Sequence, residues 1–131
     1  MKNNKTLLII PPFRDIIYKD SKVKAGLLGS PALSMALIAS DLRSHDLPVR
    51  ILDLNVHADH QEELRRTLAE YAPGCVGITF VTPLYGIMRR IAAAVKEHDP
   101  GITIVTGGAH ASAMPEDTLN STSADIAVIG E

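Results

Sequence analysis

The stretch Ile102-Thr103-Ile104-Val105-Thr106-Gly107-Gly108-Ala109-His110-Ala111 carries a β-branched run into a glycine pair. β-Branched residues fit a pleated, packed surface. Pro115 soon afterwards permits a helix to start, because the first helical turn needs no N–H from that position. The unit before it has the same layout, with Val76-Gly77-Ile78-Thr79-Phe80-Val81 running into Thr82-Pro83-Leu84-Tyr85. Two neighbouring strand-to-helix turns, both small or hydroxylated, make one shelf at the carboxyl edge of a parallel sheet. In open α/β sheets that edge is where ligands bind. The reading is a binding shelf, not a catalytic constellation.

Outward from this stretch, strand and helix patterns alternate along the chain. Thr6 to Ile10 reads as a buried strand that Pro11-Pro12 ends, since proline cannot donate to a ladder. Ser30-Pro31 reads as an N-cap with proline in the first turn, opening a helix through Leu33, Ala36, Leu37 and Leu42. Met35 and Ile38 fill its remaining sides, so this helix is expected to be heavily buried. Val49 to Leu54 is the second strand, and Asp59 followed by Glu62 is a capping-box signal for a helix with Leu64, Leu68 and Tyr71 on one side. Cys75 to Val81 is the third strand, and its helix carries Leu84, Ile87, Met88, Ile91, Ala92 and Val95. Ile102 to Thr106 is the fourth strand, Pro115 to Ser121 a short helix, and Ala124 to Ile129 the fifth strand.

Strands alternating with helices imply a parallel sheet covered on both faces. Right-handed crossovers and the chain's size favour an α/β, flavodoxin-like (Rossmann-like) doubly wound fold of five parallel strands, in the order 2-1-3-4-5. The connection from Pro11 to Gly29 is far longer than the roughly 2–6 residues usual for such a turn, which marks it as functional or disordered. The chain stops just after the fifth strand, so residues 1–131 are expected to be one domain, an N-terminal fragment of a longer protein.

Composition excludes several classes. The chain has 131 residues, 46% hydrophobic and 21% charged, as in an ordinary soluble domain. A net charge of −2 gives no pull toward nucleic acid or a membrane surface, and with 4% aromatics there is no base-stacking platform. No apolar run reaches bilayer length, and none forms a signal core, so a cytoplasmic setting is expected. One cysteine, Cys75, allows no internal disulfide and no thiolate cluster; it reads as a small core residue.

The motif search narrows the chemistry further. There is no GxxxxGK[ST] loop and no GxGxxG after the first strand. Pro11-Pro12-Phe13-Arg14-Asp15 is not the Ser/Thr/Gly-rich loop of a flavin-binding flavodoxin. A phospho-acceptor domain would need acidic residues where Pro11-Pro12 and Phe80-Val81 stand. His57 and His60 have no third partner for a metal, and His45 and His98 lie near helix ends. Only His110 lies on the shelf, where it is either a loop hydrogen-bonding residue or a ligand contact. Gly107-Gly108 beside Thr82 would let a bulky ligand approach the backbone while the hydroxyl bonds it.

These residues resemble the cobalamin (vitamin B12)-binding domain found at the N-terminus of many radical S-adenosylmethionine enzymes. The resemblance runs over nearly the whole chain, through Leu7-Leu8-Ile9-Ile10-Pro11-Pro12, Val49 to Asn55, Val76-Gly77-Ile78-Thr79 with Thr82-Pro83, Thr106 to Ala111 with Pro115-Glu116, and Ala124 to Glu131. It implies a corrin ring over the carboxyl edge of the sheet and a nucleotide tail inserted beside the strands. By position it implies cofactor contacts at Thr82, Pro83, Leu84 and Tyr85 after the third strand. It implies others at Gly107, Gly108, Ala109 and His110 after the fourth, and at Gly130 and Glu131 on the far side of the tail.

Methionine-synthase-type domains carry Asp-x-His-x-x-Gly after the first strand, and that histidine ligates cobalt. This chain has no histidine between Met1 and Ser44, so the resemblance implies cobalt without a loop histidine, with Arg14, Tyr18 or Tyr85 toward the lower face. The CxxxCxxC motif of a [4Fe-4S] cluster is impossible with one cysteine, so the cluster and S-adenosylmethionine would belong to a downstream radical domain. The full protein is then expected to be an enzyme of methyl transfer, cyclisation or rearrangement. The other readings are a flavodoxin-like module for a flavin or nucleotide, and a domain that only packs against its neighbours.

Overall fold

The computed structural model describes residues 3–14 and 32–130. Strand β1 (Thr6–Ile10) lies at the centre, and Leu7, Leu8, Ile9 and Ile10 are all buried, as a central parallel strand covered on both faces requires. It pairs in parallel with β2 (Val49–Asp53) on one side and β3 (Cys75–Thr79) on the other. β3 pairs with β4 (Thr103–Gly107), and β4 with β5 (Ile126–Ala127), completing the order β2-β1-β3-β4-β5. This is the five-stranded doubly wound sheet expected from the alternation of patterns.

The helices divide between the two faces. α1 (Leu33–Ser44) places Met35 and Ala39 on Leu8 and Ile10. The opposite face carries the larger core, where Leu64 and Leu68 of α2 (His60–Tyr71) and Met88, Ile91, Ala92 and Val95 of α3 (Tyr85–His98) meet Leu7, Ile9, Val76, Ile78 and Ile104. Two short helices, α4 (Ala109–Ala113) and α5 (Pro115–Ser121), link β4 to β5. The Asp59 carboxylate accepts the Glu62 N–H at 3.0 Å, so α2 opens on the cap read from the sequence. Such a cap contributes about 0.5–2 kcal/mol.

Three expectations are corrected. α1 is not heavily buried: Leu33 is 70% and Leu37 62% exposed, and only Met35 and Ala39 are buried. A helix lying on a sheet covers one stripe, and Leu33 and Leu37 stand on the turn opposite Met35 and Ala39. Ala32 is the N-cap, without a side-chain bond, and the expected Ser30-Pro31 start lies outside the described residues. β5 is two residues, not the span from Ala124 to Ile129, because it is an edge strand pairing only with β4, which ends at Gly107. The residues after Gly108 form α4, where only a turn was expected.

The two faces differ along β3 and β4. Both strands alternate between half-buried and buried positions. Val76, Ile78, Ile104 and Thr106 point into the larger core and are buried. The alternate residues Cys75, Gly77, Thr79, Thr103, Val105 and Gly107 share the α1 side. Among the described elements, α1 packs chiefly on β1 and β2 and leaves β3 and β4 uncovered.

Candidate functional site

The uncovered side of β3 and β4 is a trough floored by small side chains. Leu8, Gly77, Val105 and Ile126 are register partners across the sheet, and one rung nearer the carboxyl edge Thr79 pairs with Gly107. A Cβ on Gly77 would lie 2.7 Å from Leu8 Cδ2, so the Leu8 side chain already leans over that glycine. Among the described residues, a Cβ on Gly107 would meet Val128 Cβ at 3.9 Å, an ordinary contact, so a larger side chain is not blocked there by backbone. At Gly108 the backbone has φ 99°, a conformation that glycine adopts without strain. A Cβ there would come within 2.7 Å of the Phe80 carbonyl oxygen and 3.0 Å of Thr79 Oγ1. Gly108 thus brings the start of α4 against the end of β3, and Gly107 leaves room beside it.

Thr82 and Pro83 are exposed at the carboxyl edge, in a single 3-10 turn (Thr82–Leu84) ahead of α3. Leu84 turns inward and is buried in the larger core. Tyr85 is half-buried and stacks, tilted, with Phe80 and His110 at centroid distances of 6.3 and 4.9 Å. His110 is 8% exposed; its Nδ1 lies 3.0 Å from Thr82 Oγ1, and its Nε2 is buried with no hydrogen-bond partner. Ala109 is exposed. Gly130 donates its N–H to Ser112 Oγ at 3.0 Å, which ties the segment after β5 to α4. Glu131 and Tyr18 lie outside the described residues, as does most of the Pro11–Gly29 connection.

The structure therefore joins Thr82, Tyr85 and His110 in one cluster with Phe80, and places Gly107 and Gly108 beside Thr79. Leu84 belongs to the core. Thr79 and Gly77 were missed as floor residues because a buried strand with two covered faces was expected. Their signal was the alternation of large Val76 and Ile78 with small Gly77 and Thr79. Asn55 was missed too. Its Oδ1 accepts the N–H groups of Phe13 (2.9 Å) and Arg14 (3.3 Å), and its Nδ2 donates to Pro11 O (3.1 Å) and Asp53 Oδ1 (2.8 Å). One amide thereby fixes the start of the segment after β1 to the end of β2.

The electrostatics are quiet. Burial raises the Cys75 thiol above its ordinary value, and the Asp125 carboxylate adds to the rise, so the thiol is not activated. No group of three His, Cys, Asp or Glu among the described residues is placed to hold a metal ion. A cleft of about 750 Å³ lies between α2 and α3, floored by Leu64, Leu68 and Ile91 and rimmed by polar residues such as Gln61, Arg65, Arg90 and Glu97. No helix among the described residues is long and apolar enough to cross a membrane.

A doubly wound sheet of this order is the architecture whose ligands bind outside the carboxyl ends of the strands, at the switch point between β1 and β3. The B12-binding domain family matches residues 27–131, and the chain belongs to that family. It is similar to an uncharacterized methyltransferase of Pyrococcus horikoshii, 31% identical over 120 residues that cover 91% of this chain and 25% of that protein. The chain thus spans about a quarter of the relative's length.

Proposed function

We propose that this chain holds cobalamin with the corrin over the carboxyl edge and the nucleotide tail along Gly77, Thr79, Val105 and Gly107. The observation that carries the reading is that, among the described residues, Gly107 meets nothing closer than Val128 at 3.9 Å, beside the Thr79 hydroxyl, in a chain of the B12-binding family. The chemistry of the floor fits such a tail: apolar and glycine surface for a flat aromatic base, with one hydroxyl at its side. When bound, cobalamin supplies a cobalt centre able to carry a methyl group.

The chain's own residues bind and orient. Gly107 yields volume, Thr79 and Thr82 offer hydroxyls at the edge, and Val105 and Val128 would exclude water from the tail. Asn55 fixes the backbone of Phe13 and Arg14 just after the end of β1. With no histidine from Met1 to Ser44, no histidine from that stretch would be available as a cobalt ligand. The relative's description as a methyltransferase, four times longer than the matched region, supports a cobalamin-carrying part of a larger methyl-transfer enzyme. A radical S-adenosylmethionine domain of that larger enzyme would hold the [4Fe-4S] cluster, which this chain's single cysteine cannot.

The test is a titration of the chain with hydroxocobalamin, followed by visible absorbance and size exclusion. Co-elution with a base-off spectrum is expected. The Gly107→Leu variant, which fills open space without a backbone clash, should fold and lose the corrinoid. A Gly107→Leu chain that binds as well as the parent would overturn the trough as the tail site. Retention of a flavin, read by its own absorbance, would overturn the ligand.

A further inference from the structure

His110 sits in an apolar slot, with Phe80 and Tyr85 ring centroids 5.1 and 4.9 Å from its own. Its Nδ1 is 3.0 Å from Thr82 Oγ1, while Nε2 is sealed from solvent and meets no donor or acceptor among the described residues. A neutral imidazole carries one N–H and one lone pair, so the sealed nitrogen holds one or the other. Orphaned buried N–H groups are the rarer case in proteins, and unsatisfied acceptors are better tolerated. The lower-cost arrangement therefore puts the proton on Nδ1, where it is used, and the bare lone pair on Nε2.

That choice fixes the hydroxyl. If Nδ1–H donates to Thr82 Oγ1, the oxygen's own hydrogen is released from the ring and turns outward, toward the exposed side of the turn where Thr82 stands. The opposite tautomer would draw the hydroxyl hydrogen inward and present only lone pairs. The geometry points to His110 as a positioning residue: it holds the Thr82 hydroxyl as an outward donor, so the ligand group met there is a hydrogen-bond acceptor such as a carboxamide carbonyl or a phosphate oxygen. His110 touches no ligand itself and acts through Thr82. The inference rests on the cobalamin reading for the identity of the ligand, but not for the tautomer.

Two measurements test it. Long-range proton–nitrogen NMR spectra of the ligand-free chain, with His110 assigned by its loss in His110→Asn, should show Nδ1 protonated and Nε2 bare. The reverse pattern would overturn the inference whether or not any corrinoid binds. In hydroxocobalamin titrations, Thr82→Val should weaken binding about tenfold, the loss of one hydrogen bond. His110→Leu should weaken it by the same factor, and the double variant by no more than either single one. His110→Asn keeps a donor where Nδ1 stands and should bind within about twofold of the parent. Independent, multiplying losses in the double variant would overturn the coupling. A chain with the expected tautomer that binds no corrinoid would instead sink the cobalamin reading and leave the positioning of Thr82 intact.

Discussion

At Gly108 a Cβ would lie 2.7 Å from the Phe80 carbonyl oxygen and 3.0 Å from Thr79 Oγ1, on a backbone with φ 99°. Gly107, next to it, has Val128 Cβ at 3.9 Å among the described residues. One glycine is therefore required by the fold, and the other is not. Gly108→Ala is expected to cost roughly 1–3 kcal/mol, the scale of a residue forced into a sparsely populated backbone region. Chemical denaturation checks this; an unchanged midpoint would contradict the clash. The glycine pair itself was plain in the sequence, because only glycine suits a turn that tight. The difference between its members was not, since it depends on Phe80 and Val128, which are brought there by folding. His110 was legible as a shelf residue in the same partial way. Its partner Thr82 is 28 positions away, and nothing in local spacing says which ring nitrogen meets it.

The elements were read well where periodicity decides, as in α2 and α3, and less well where a neighbour decides. β5 is short because it has one partner, and Asp125 is what anchors its start. The Asp125 carboxylate accepts the Ile104 N–H at 2.7 Å and pairs with Lys96 at 2.7 Å. Burial alone would raise its carboxyl, but the Ile104 N–H and the Lys96 ammonium outweigh that and hold it below its ordinary value of 3.8. A carboxyl depressed on folding adds stability above its unfolded value, and that stability is lost as pH falls through the folded value. Asp125→Asn should therefore cost at most about 1 kcal/mol near neutral pH, the range of a partly exposed pair. The gap between variant and parent should close only in acid, below 3.8. Unfolding curves at several pH values check this, and a gap that grows in acid would contradict it. In α1 the stripe on the sheet matters and the outer one does not. Met35→Ala should cost about 2–5 kcal/mol, while Leu37→Lys should stay within about 0.5 kcal/mol. Equal losses in thermal unfolding would show that the outer leucines are packed after all.

Among the described residues, the sheet has one thick face and one thin one. There, eighteen buried residues form the cluster beneath α2 and α3, against four in the cluster beneath α1. The strand order followed from right-handed crossovers and so was legible in the sequence. The inequality of the faces was not, because a run such as Ile102 to Thr106 reads as hydrophobic on both sides. Only the size of the alternate residues hints at it. On the thin side they are Gly77, Thr79 and Gly107, with the Leu8 side chain over Gly77 and Val128 near Gly107.

The thin face has a thermodynamic consequence. A molecule seated on Thr79, Val105 and Gly107, as proposed, would bury further apolar surface in the folded chain, and the unfolded chain has no such surface to offer. Ligand and fold are then linked by mass action: hydroxocobalamin at a hundred times its dissociation constant should add about 2.7 kcal/mol. Melting curves at rising corrinoid concentration should shift steadily upward in the parent and stay fixed in Gly107→Leu. In the proposed arrangement the cofactor would act as an added piece of the interior, and the apoprotein would be the less durable of the two forms.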